Sequence, residues 1–236
     1  LGSEKESIMS DDVLRIANCS GFYGDRLSAA REMVEGGPID VLTGEVKILS
    51  AGGGGTWASV SQGIVYAADN GATVTNMSVG GVGGDPGLDA AVDYAASLDV
   101  VQVAAAGNNG NTTPYYPAAC AHVIAVMATD ANQKRTGWSN YGDWCDLCAP
   151  GDGVFSLWKG GLTNWLSGTS MSCPHVAGIA ALVRSQNPQL DAIDTELVIK
   201  HSAKDLGSSG QDSTYQWGLA DLEGALEKAV NLTLST

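Results

Sequence analysis

Residues 168–178 read Gly168-Thr169-Ser170-Met171-Ser172-Cys173-Pro174-His175-Val176-Ala177-Gly178. From Ser170 a helical pattern runs to about residue 186, where Asn187-Pro188 ends it. Pro174 fits such a helix because the N–H groups of a first helical turn have no intrahelical acceptor. Those N–H groups would also stabilise negative charge on an oxygen beside Ser170. A serine at a helix start is by default an ordinary helix cap, so this local arrangement alone is weak evidence for a nucleophile in acyl transfer.

The rest of the chain alternates short apolar runs with helical patterns. We predict strands at residues 46–49, 72–79, 99–106, 122–128 and 145–150, and helices at residues 56–70, 88–98, 191–203 and 219–230. Because the strands are continuously apolar, we expect an α/β fold whose mostly parallel sheet carries helices on both faces. Ligands bind such sheets beyond the carboxyl ends of the strands, which points to the loops at residues 78–81 and 106–110.

The motifs match one family in sequence order. Residues 167–178 resemble the nucleophile motif of the subtilisin-like serine proteases, the peptidase S8 family. Further segments match the same family; they are residues 46–49 with 52–55, 76–81, 104–108, 116–118 and 149–151. The resemblance covers residues 45 to about 230 and implies the subtilisin-like fold for that span.

Carried over position by position, the resemblance makes Ser170 the nucleophile and Asn108 the side-chain donor of the oxyanion hole. In isolation Asn108 would be a turn residue ahead of Asn109-Gly110. Two strand ends would pair with an extended substrate peptide and line its first specificity pocket; their residues are Ser78, Val79, Gly80, Ala104, Ala105, Ala106 and Gly107. The implied substrate is a polypeptide, and the implied reaction requires no cofactor.

The family's catalytic aspartate and histidine are not found. They belong to a Val-x-Asp-x-Gly strand end and a His-Gly-x-His helix start, both upstream of the segment that matches residues 46–49. Residues 39–44 echo the first motif only superficially, with Asp40 two residues too early. His175 follows Ser170 by five residues, about 140° around a helix axis at ~3.6 residues per turn, so we expect it to point away. His122 begins a strand and His201 falls in a later helix, so neither is expected to act as the base.

The first part of the chain resembles a different family. Residues 15–26 and 36–44 look like the N-terminus of the acyclic-terpene-utilisation (AtuA-like) proteins, with Met9 as the natural start. We predict a strand, a helix and a strand here, at residues 14–18, 26–34 and 39–42, oriented so that they could add to one sheet. Cys19 and Asp25 otherwise read as turn residues. The expected organisation is a tail at residues 1–8, this βαβ module at residues 9–44 in place of the usual first part, and the nucleophile half of a peptidase domain at residues 45–236.

Composition limits the partners. A chain of 236 residues with 44% apolar residues is expected to build one main domain. The net charge of -14 would repel a phosphate backbone, so we expect no nucleic-acid partner. No stretch approaches the roughly 20 apolar residues of a membrane span, and residues 1–12 do not resemble a signal peptide. The family is usually secreted, but the compartment of this chain stays open.

Cysteines and metals give weaker signals. Five cysteines leave at least one unpaired, and Cys120 paired with Cys145 or Cys148 is the expected disulfide. Zinc is disfavoured because Cys145 and Cys148 have no second ligand pair at suitable spacing. Calcium is the metal that the family resemblance allows, with the Pro117 carbonyl and the Asp146 carboxylate as ligands; Asp146 is otherwise a solvated or capping residue.

Three functional hypotheses follow. The first is a domain of the subtilisin-like endopeptidase type, whose reaction is the hydrolysis of peptide bonds through Ser170. Under this hypothesis the chain is inactive as it stands, because the catalytic aspartate and histidine are absent. The second is a non-catalytic pseudoprotease that binds an extended peptide at a sheet edge without cleaving it. The third is a fragment whose complementary chain supplies the missing groups.

Overall fold

The computed structural model describes residues 14–18, 41–50, 53–158 and 161–233, and at residues 14–18, 41–44 and 233 it describes the backbone alone. Five features predicted above lie outside the described residues: the tail at residues 1–8, the helix at residues 26–34, Cys19, Asp25 and Asp40. In the described part of the chain, no helix is long and apolar enough to cross a membrane.

The described residues form one six-stranded parallel sheet with the order β2-β1-β3-β4-β5-β6. The strands are β1 (Leu14–Asn18), β2 (Val41–Glu45), β3 (Val74–Met77), β4 (Val101–Ala105), β5 (Val123–Thr129) and β6 (Leu147–Pro150). All six carboxyl ends lie at one edge, since Met77 is level with Ala104 and Ala105 is level with Val126. The predicted α/β class with a parallel sheet is confirmed.

The central strands are buried on both faces, as their continuous apolar sequences predict. Every residue of β4 and β5 is buried. Alternate side chains serve two cores: Val103 and Ile124 belong to one hydrophobic cluster, and Ala104 and Met127 belong to the other. The sheet is therefore the middle layer of a three-layer structure.

Five helices cover the two faces in the described part of the chain. They are α1 (Trp57–Asp69), α2 (Pro86–Ser97), α3 (Thr169–Gln186), α4 (Ala192–Ser202) and α5 (Leu222–Thr233). Side chains of α1 and α2 complete one cluster, and those of α3, α4 and α5 complete the other. The side chain of Thr56 caps α1 and that of Asp85 caps α2, so both helices begin where their sequences provide an acceptor for free N–H groups.

The strand predicted at residues 46–49 is wrong, and the strand predicted at residues 39–42 is shifted. The strand β2 ends at Glu45, and an irregular segment follows it. Ile48 is buried in the core against α1, where a methyl group added to Gly63 would collide with its side chain. The apolar residues of this segment pack on a helix instead of pairing in the sheet, a difference that an apolar pattern alone does not reveal.

A two-stranded antiparallel hairpin stands apart from the main sheet. It consists of β7 (Val154–Trp158) and β8 (Leu162–Leu166), with Phe155 opposite Trp165. No element was predicted here, although two apolar runs around Lys159-Gly160-Gly161 are a usable hairpin signal. The hairpin delivers the chain directly to the start of α3.

The predicted disulfide is wrong. Cys120, Cys145, Cys148 and Cys173 are all buried free thiols. Cys120 donates to Asp89 at 3.3 Å, whereas Cys148 lies in β6 and faces the Tyr215 carbonyl at 3.9 Å. The four thiols therefore pack as small apolar side chains in the core, and their S–H groups are weak hydrogen-bond donors.

These thiols are expected to resist alkylation in the folded protein. They are also expected to lower the free energy of unfolding of the protein at high pH. Burial, assisted by Asp89, raises the pKa of Cys120 to about 12, and burial raises the pKa of Cys148 to about 12. In the unfolded chain such thiols ionise near 9.0. Since the unfolded state then holds fewer protons, the free energy of unfolding should fall as the pH rises from about 9 to about 12.

Urea unfolding at stepped pH measures this loss, and iodoacetamide labelling with peptide mapping at pH 8 reports each thiol separately. Rapid alkylation of Cys120 and Cys148 under native conditions would contradict the buried placement.

Candidate active site

A cleft of about 1250 Å³ runs along the carboxyl-end edge of the sheet. Its lining comes from the segments after β3 and β4, the segment before α1 with the start of that helix, the hairpin and the start of α3. This is where ligands bind parallel sheets in general, because the loops that follow the strands converge there. The sequence prediction of a site at residues 78–81 and 106–110 agrees with this location.

Ser170 lies in the first turn of α3 and faces the segment that follows β3. Its hydroxyl donates to the Ser78 carbonyl at 3.2 Å, and the Ser78 hydroxyl donates to the Ser170 carbonyl at 3.0 Å. The amide of Asn76 donates to the Ser78 hydroxyl at 3.1 Å and holds it in place. Ser170 is half-buried and borders the cleft, so its oxygen is accessible to a ligand there.

The Asn108 carboxamide is oriented by Thr169. Its Oδ1 accepts from the Thr169 backbone N–H at 2.9 Å and from the Thr169 hydroxyl at 3.0 Å. That hydroxyl in turn accepts from the Gly107 N–H at 3.0 Å. Because both donors bind the oxygen, Nδ2 is left as a free donor beside Gly168, where a methyl group on that glycine would lie 3.5 Å from it. The N–H of Ser170 adds a second donor, since it has no acceptor within its own helix.

Asn140 fixes the loop that carries Asn108. Its side chain donates to the Ala106 carbonyl at 2.9 Å and accepts from the Asn109 N–H at 2.9 Å. Gly107 has a positive φ of 96°, and a Cβ there would meet the Asn140 side chain at 2.6 Å, so the close approach requires glycine. Asn140 was not singled out from the sequence, because its role depends on contacts more than 30 residues away.

The structure brings most of the predicted substrate-binding residues to the cleft but not all of them. Its walls include Ser78, Val79, Gly80, Ala105 and Gly107. The side chains of Ala104 and Ala106 are instead completely buried in the core beneath α1 and α2, so the prediction that they line the pocket is corrected. The alternation of side chains along a strand places Ala105 on the opposite side from its two neighbours.

None of the three histidines, all of which are described, is hydrogen-bonded to Ser170. His175 borders the same cleft, but its Nδ1 lies 2.8 Å from the Met171 carbonyl. His201 is on α4, where its ring packs against Trp217 with 4.8 Å between centroids. His122 is exposed just ahead of β5. The cleft therefore brings together the Ser170 hydroxyl and the Asn108 side-chain amide, and the Ser170 hydroxyl is bonded to the Ser78 carbonyl and not to an imidazole.

Asp146 does not fit a calcium ion. One carboxylate oxygen lies 2.6 Å from the Lys200 ammonium, and the other accepts from the Ala125 N–H at 2.7 Å. The second predicted ligand, the Pro117 carbonyl, accepts from the Cys120 N–H. An ammonium group in contact with Asp146 would repel a cation, so the carboxylate has a structural role, and among the described residues no group of three potential side-chain ligands forms a metal site.

Comparisons with known proteins agree with this geometry. The model of the subtilase family matches residues 26–218. The chain is 44% identical over 165 residues to thermitase of Thermoactinomyces vulgaris, covering 70% of this chain and 58% of thermitase. It is 42% identical over 180 residues to Subtilisin Savinase of Lederbergia lenta, covering 76% of this chain and 66% of that protein. It therefore spans less than two thirds of the length of either relative.

Solved structures share the fold. The crystal structure of a lanthipeptide protease superposes with a TM-score of 0.79 at 22% identity, covering 91% of this chain and 87% of that one. A protease of Pseudoalteromonas arctica gives a TM-score of 0.75 at 29% identity, covering 80% and 63%. The family match begins inside residues 9–44, whose resemblance to AtuA-like proteins stays a prediction. Motif, geometry and similarity lead to one conclusion: the chain belongs to the subtilase family of serine proteases.

Proposed function

We propose that this chain is a subtilisin-like endopeptidase domain that binds an extended peptide beside Ser170 and, as it stands, cleaves it very slowly. The observation that carries the proposal is the hydrogen bond of the Ser170 hydroxyl, which goes to the Ser78 carbonyl and not to an imidazole. A general base must come within hydrogen-bonding distance of the proton that it removes. A carbonyl oxygen cannot accept that proton, so Ser170 is positioned but not activated.

The chain's own groups still support part of the reaction. When Ser170 Oγ attacks a peptide carbonyl carbon, the carbonyl oxygen becomes negative, and Nδ2 of Asn108 and the N–H of Ser170 are the donors beside it. The hydroxyl proton must then leave to water or to a base in solution. Subtilisin itself, stripped of its triad, keeps a residual rate of roughly 10³ to 10⁴ over water. We expect activity of that order, with no cofactor.

The segment after β3 is suited to bind the peptide. Among the described residues, the backbone groups of Val79 and Gly80 have no hydrogen-bonding partner, and both residues border the cleft. Such groups bind an added extended strand through main-chain hydrogen bonds. The described residues that line the cleft include no acidic side chain, lysine or arginine, so an uncharged peptide suits the cleft, although the whole chain carries a net charge of -14.

A fluorescent hexapeptide tests both halves of the proposal. We expect saturable binding by fluorescence anisotropy, and recovery of the intact peptide by mass spectrometry after hours of incubation. The matched control is the same peptide with backbone N–H groups methylated, which should bind at least about tenfold more weakly because several hydrogen bonds are lost. Prompt cleavage would contradict the slow-hydrolysis half, and absence of binding would contradict the peptide-binding half.

Thr169→Val tests the orientation of Asn108. The change leaves the Gly107 N–H without an acceptor and removes one donor to Asn108, so we expect a loss of about 1 to 3 kcal/mol in the free energy of unfolding. Acylation of Ser170 in concentrated imidazole should slow roughly tenfold, because the oxyanion donor is less well fixed. Thr169→Ser restores the hydroxyl and should recover both properties. Normal acylation by Thr169→Val would show that Asn108 is held by other contacts.

A second candidate function is a domain completed by another segment. It is favoured by the 44% identity to thermitase combined with coverage of only 58% of that protein. Such a segment would bring an acid and an imidazole to Ser170. Labelling of Ser170 by a fluorophosphonate only after addition of the N-terminal part of thermitase would support this candidate, and unchanged labelling would count against it.

A further inference from the structure

The aromatic ring of Tyr115 lies between the two backbone segments that border the cleft nearest Ser170. A methyl group placed on Gly80 would lie 2.7 Å from Cε1 and 2.8 Å from Cδ1 of this ring. A methyl group placed on Gly107 would lie 2.9 Å from Cδ1 and 2.9 Å from Cγ of the same ring. These distances are far below ordinary van der Waals contact, so the ring already occupies the space beside both glycines.

The backbone holds Tyr115 in this place. The next residue, Tyr116, exchanges two hydrogen bonds with Gly81, at 2.9 and 2.8 Å. The Tyr115 carbonyl accepts from the Ala119 N–H at 2.9 Å. The ring is half-buried, and it is the side chain of its segment that reaches the wall of the cleft between Gly80 and Gly107. The backbone hydrogen bonds of Tyr116 therefore hold Tyr115 beside the segment that contains Gly81, and the Tyr115 ring lies against both Gly80 and Gly107.

The space that the ring fills is the place where a ligand side chain would go. An extended peptide paired with residues 78–80 presents alternate side chains to the two sides. The residue whose carbonyl faces Ser170 then directs its side chain between the residue 78–80 segment and the residue 105–107 segment. Glycines at positions 80 and 107 leave a wide gap between these segments, and Tyr115 takes up that gap.

We propose that Tyr115 closes the first specificity pocket, so that the residue preceding the reacting bond must be glycine or alanine. This inference rests on the proposed peptide-binding function and adds the class of peptide. A large side chain at this position collides with the ring, and an acidic or basic one finds no carboxylate, lysine or arginine among the described residues that line the cleft, whose ionisable side chains are those of Tyr115 and His175. Tyr115 is a specificity-determining residue here and takes no part in bond making.

The test compares two labelled peptides that differ only in the residue preceding the target bond, alanine in one and phenylalanine in the other. Dissociation constants are measured by fluorescence anisotropy. We expect the wild-type chain to prefer the alanine peptide by at least about tenfold, as for a pocket that is too small for its ligand. Tyr115→Phe keeps the ring and should keep that preference. Tyr115→Ala opens the gap and should raise the affinity for the phenylalanine peptide by at least about tenfold.

Two results would overturn the proposed role of Tyr115, and a third would overturn the proposed peptide-binding function. Equal affinity of the wild-type chain for the two peptides overturns the inference, whether or not Tyr115→Ala folds. A folded Tyr115→Ala protein, verified by its circular dichroism and melting curve, that retains the wild-type preference also overturns it. If neither peptide binds to the wild-type chain, the proposed peptide-binding function fails, which is a result distinct from equal binding.

Discussion

Replacing Asn108 with alanine is expected to slow the acylation of Ser170 by roughly 10² to 10³, a range known from subtilisin itself. The side-chain amide is the donor that Thr169 orients toward the cleft, where the oxyanion forms. Concentrated imidazole in the buffer supplies a base, so that the rate becomes measurable without a catalytic histidine. A fluorophosphonate probe serves as the analogue of the acylating peptide: Ser170 Oγ forms a bond to phosphorus, fluoride leaves, and the P=O oxygen stands in for the carbonyl oxygen. Intact-protein mass spectrometry gives the rate constant.

Asn109→Ala is the matched control for this measurement. Asn109 is also exposed, and only its backbone N–H takes part in a hydrogen bond, to Asn140. Its replacement should therefore leave the acylation rate within about a factor of two, because no side-chain donor is lost. Equal rates for Asn108→Ala and the wild-type chain would remove Asn108 from the reaction and would leave the Ser170 N–H as the only oxyanion donor proposed.

Replacing Lys200 with alanine is expected to lower the free energy of unfolding by about 3 to 5 kcal/mol, as when one partner of a buried ion pair is removed. The Lys200 ammonium is 15% exposed and lies 2.6 Å from Asp146, which is 17% exposed. Burial by itself lowers the pKa of Lys200, but the charges and hydrogen bonds of Asp146 and Glu196 outweigh it, so the pKa is raised. The favourable contribution is thus present at neutral pH and is lost only as the pH rises through the raised pKa of Lys200.

Lys204→Ala is the corresponding control. Lys204 is 62% exposed and lies 4.0 Å from Asp221, so its loss should change the free energy of unfolding by no more than about 0.5 kcal/mol. Burial raises the pKa of Asp146, and Lys200 opposes that effect. Without Lys200, the carboxyl group should take up a proton at acid pH, so the deficit of Lys200→Ala should shrink as the pH falls. Urea denaturation of both variants and of the wild-type chain measures these changes. If Lys200→Ala were as stable as the wild-type chain, the buried ion pair would not be stabilising.

Local patterns predicted the elements that carry their own start and stop signals. The helix expected at residues 56–70 is α1 at Trp57–Asp69, because Thr56 caps its start and Asn70 ends it. The long helix expected from Ser170 is α3 at Thr169–Gln186. In both cases the residues that start and end the helix lie next to it in the sequence, so the helix bounds can be predicted from the local sequence. Ser170 and Asn108 border the same cleft, since Ser170 begins a recognisable helix and Asn108 follows a recognisable strand, while their catalytic roles stay predictions.

Features that depend on distant contacts were not predictable in this way. The family resemblance allowed calcium at Asp146, with a solvated or capping residue as the alternative, but α4 brings Lys200 to it from 54 positions later in the chain. Tyr115 carried no signal, because its ring matters only through Gly80 and Gly107, which come from two other segments. Residues 46–49 are apolar enough for a strand, yet they pack against α1. In each example tertiary packing determined the outcome, and a local pattern was compatible with more than one structure.

Ser170 is proposed to border the peptide-binding cleft without a base beside it, and its rate of modification tests this proposal. The chain alone, in buffer at neutral pH, is treated with a fluorophosphonate, and modification of Ser170 is followed with and without added imidazole, with Ser170→Ala as the blank. We predict slow modification that accelerates in proportion to the imidazole concentration, because the base must come from solution. Rapid, stoichiometric modification of Ser170 without imidazole would contradict the claim, since a base within the chain would then be required.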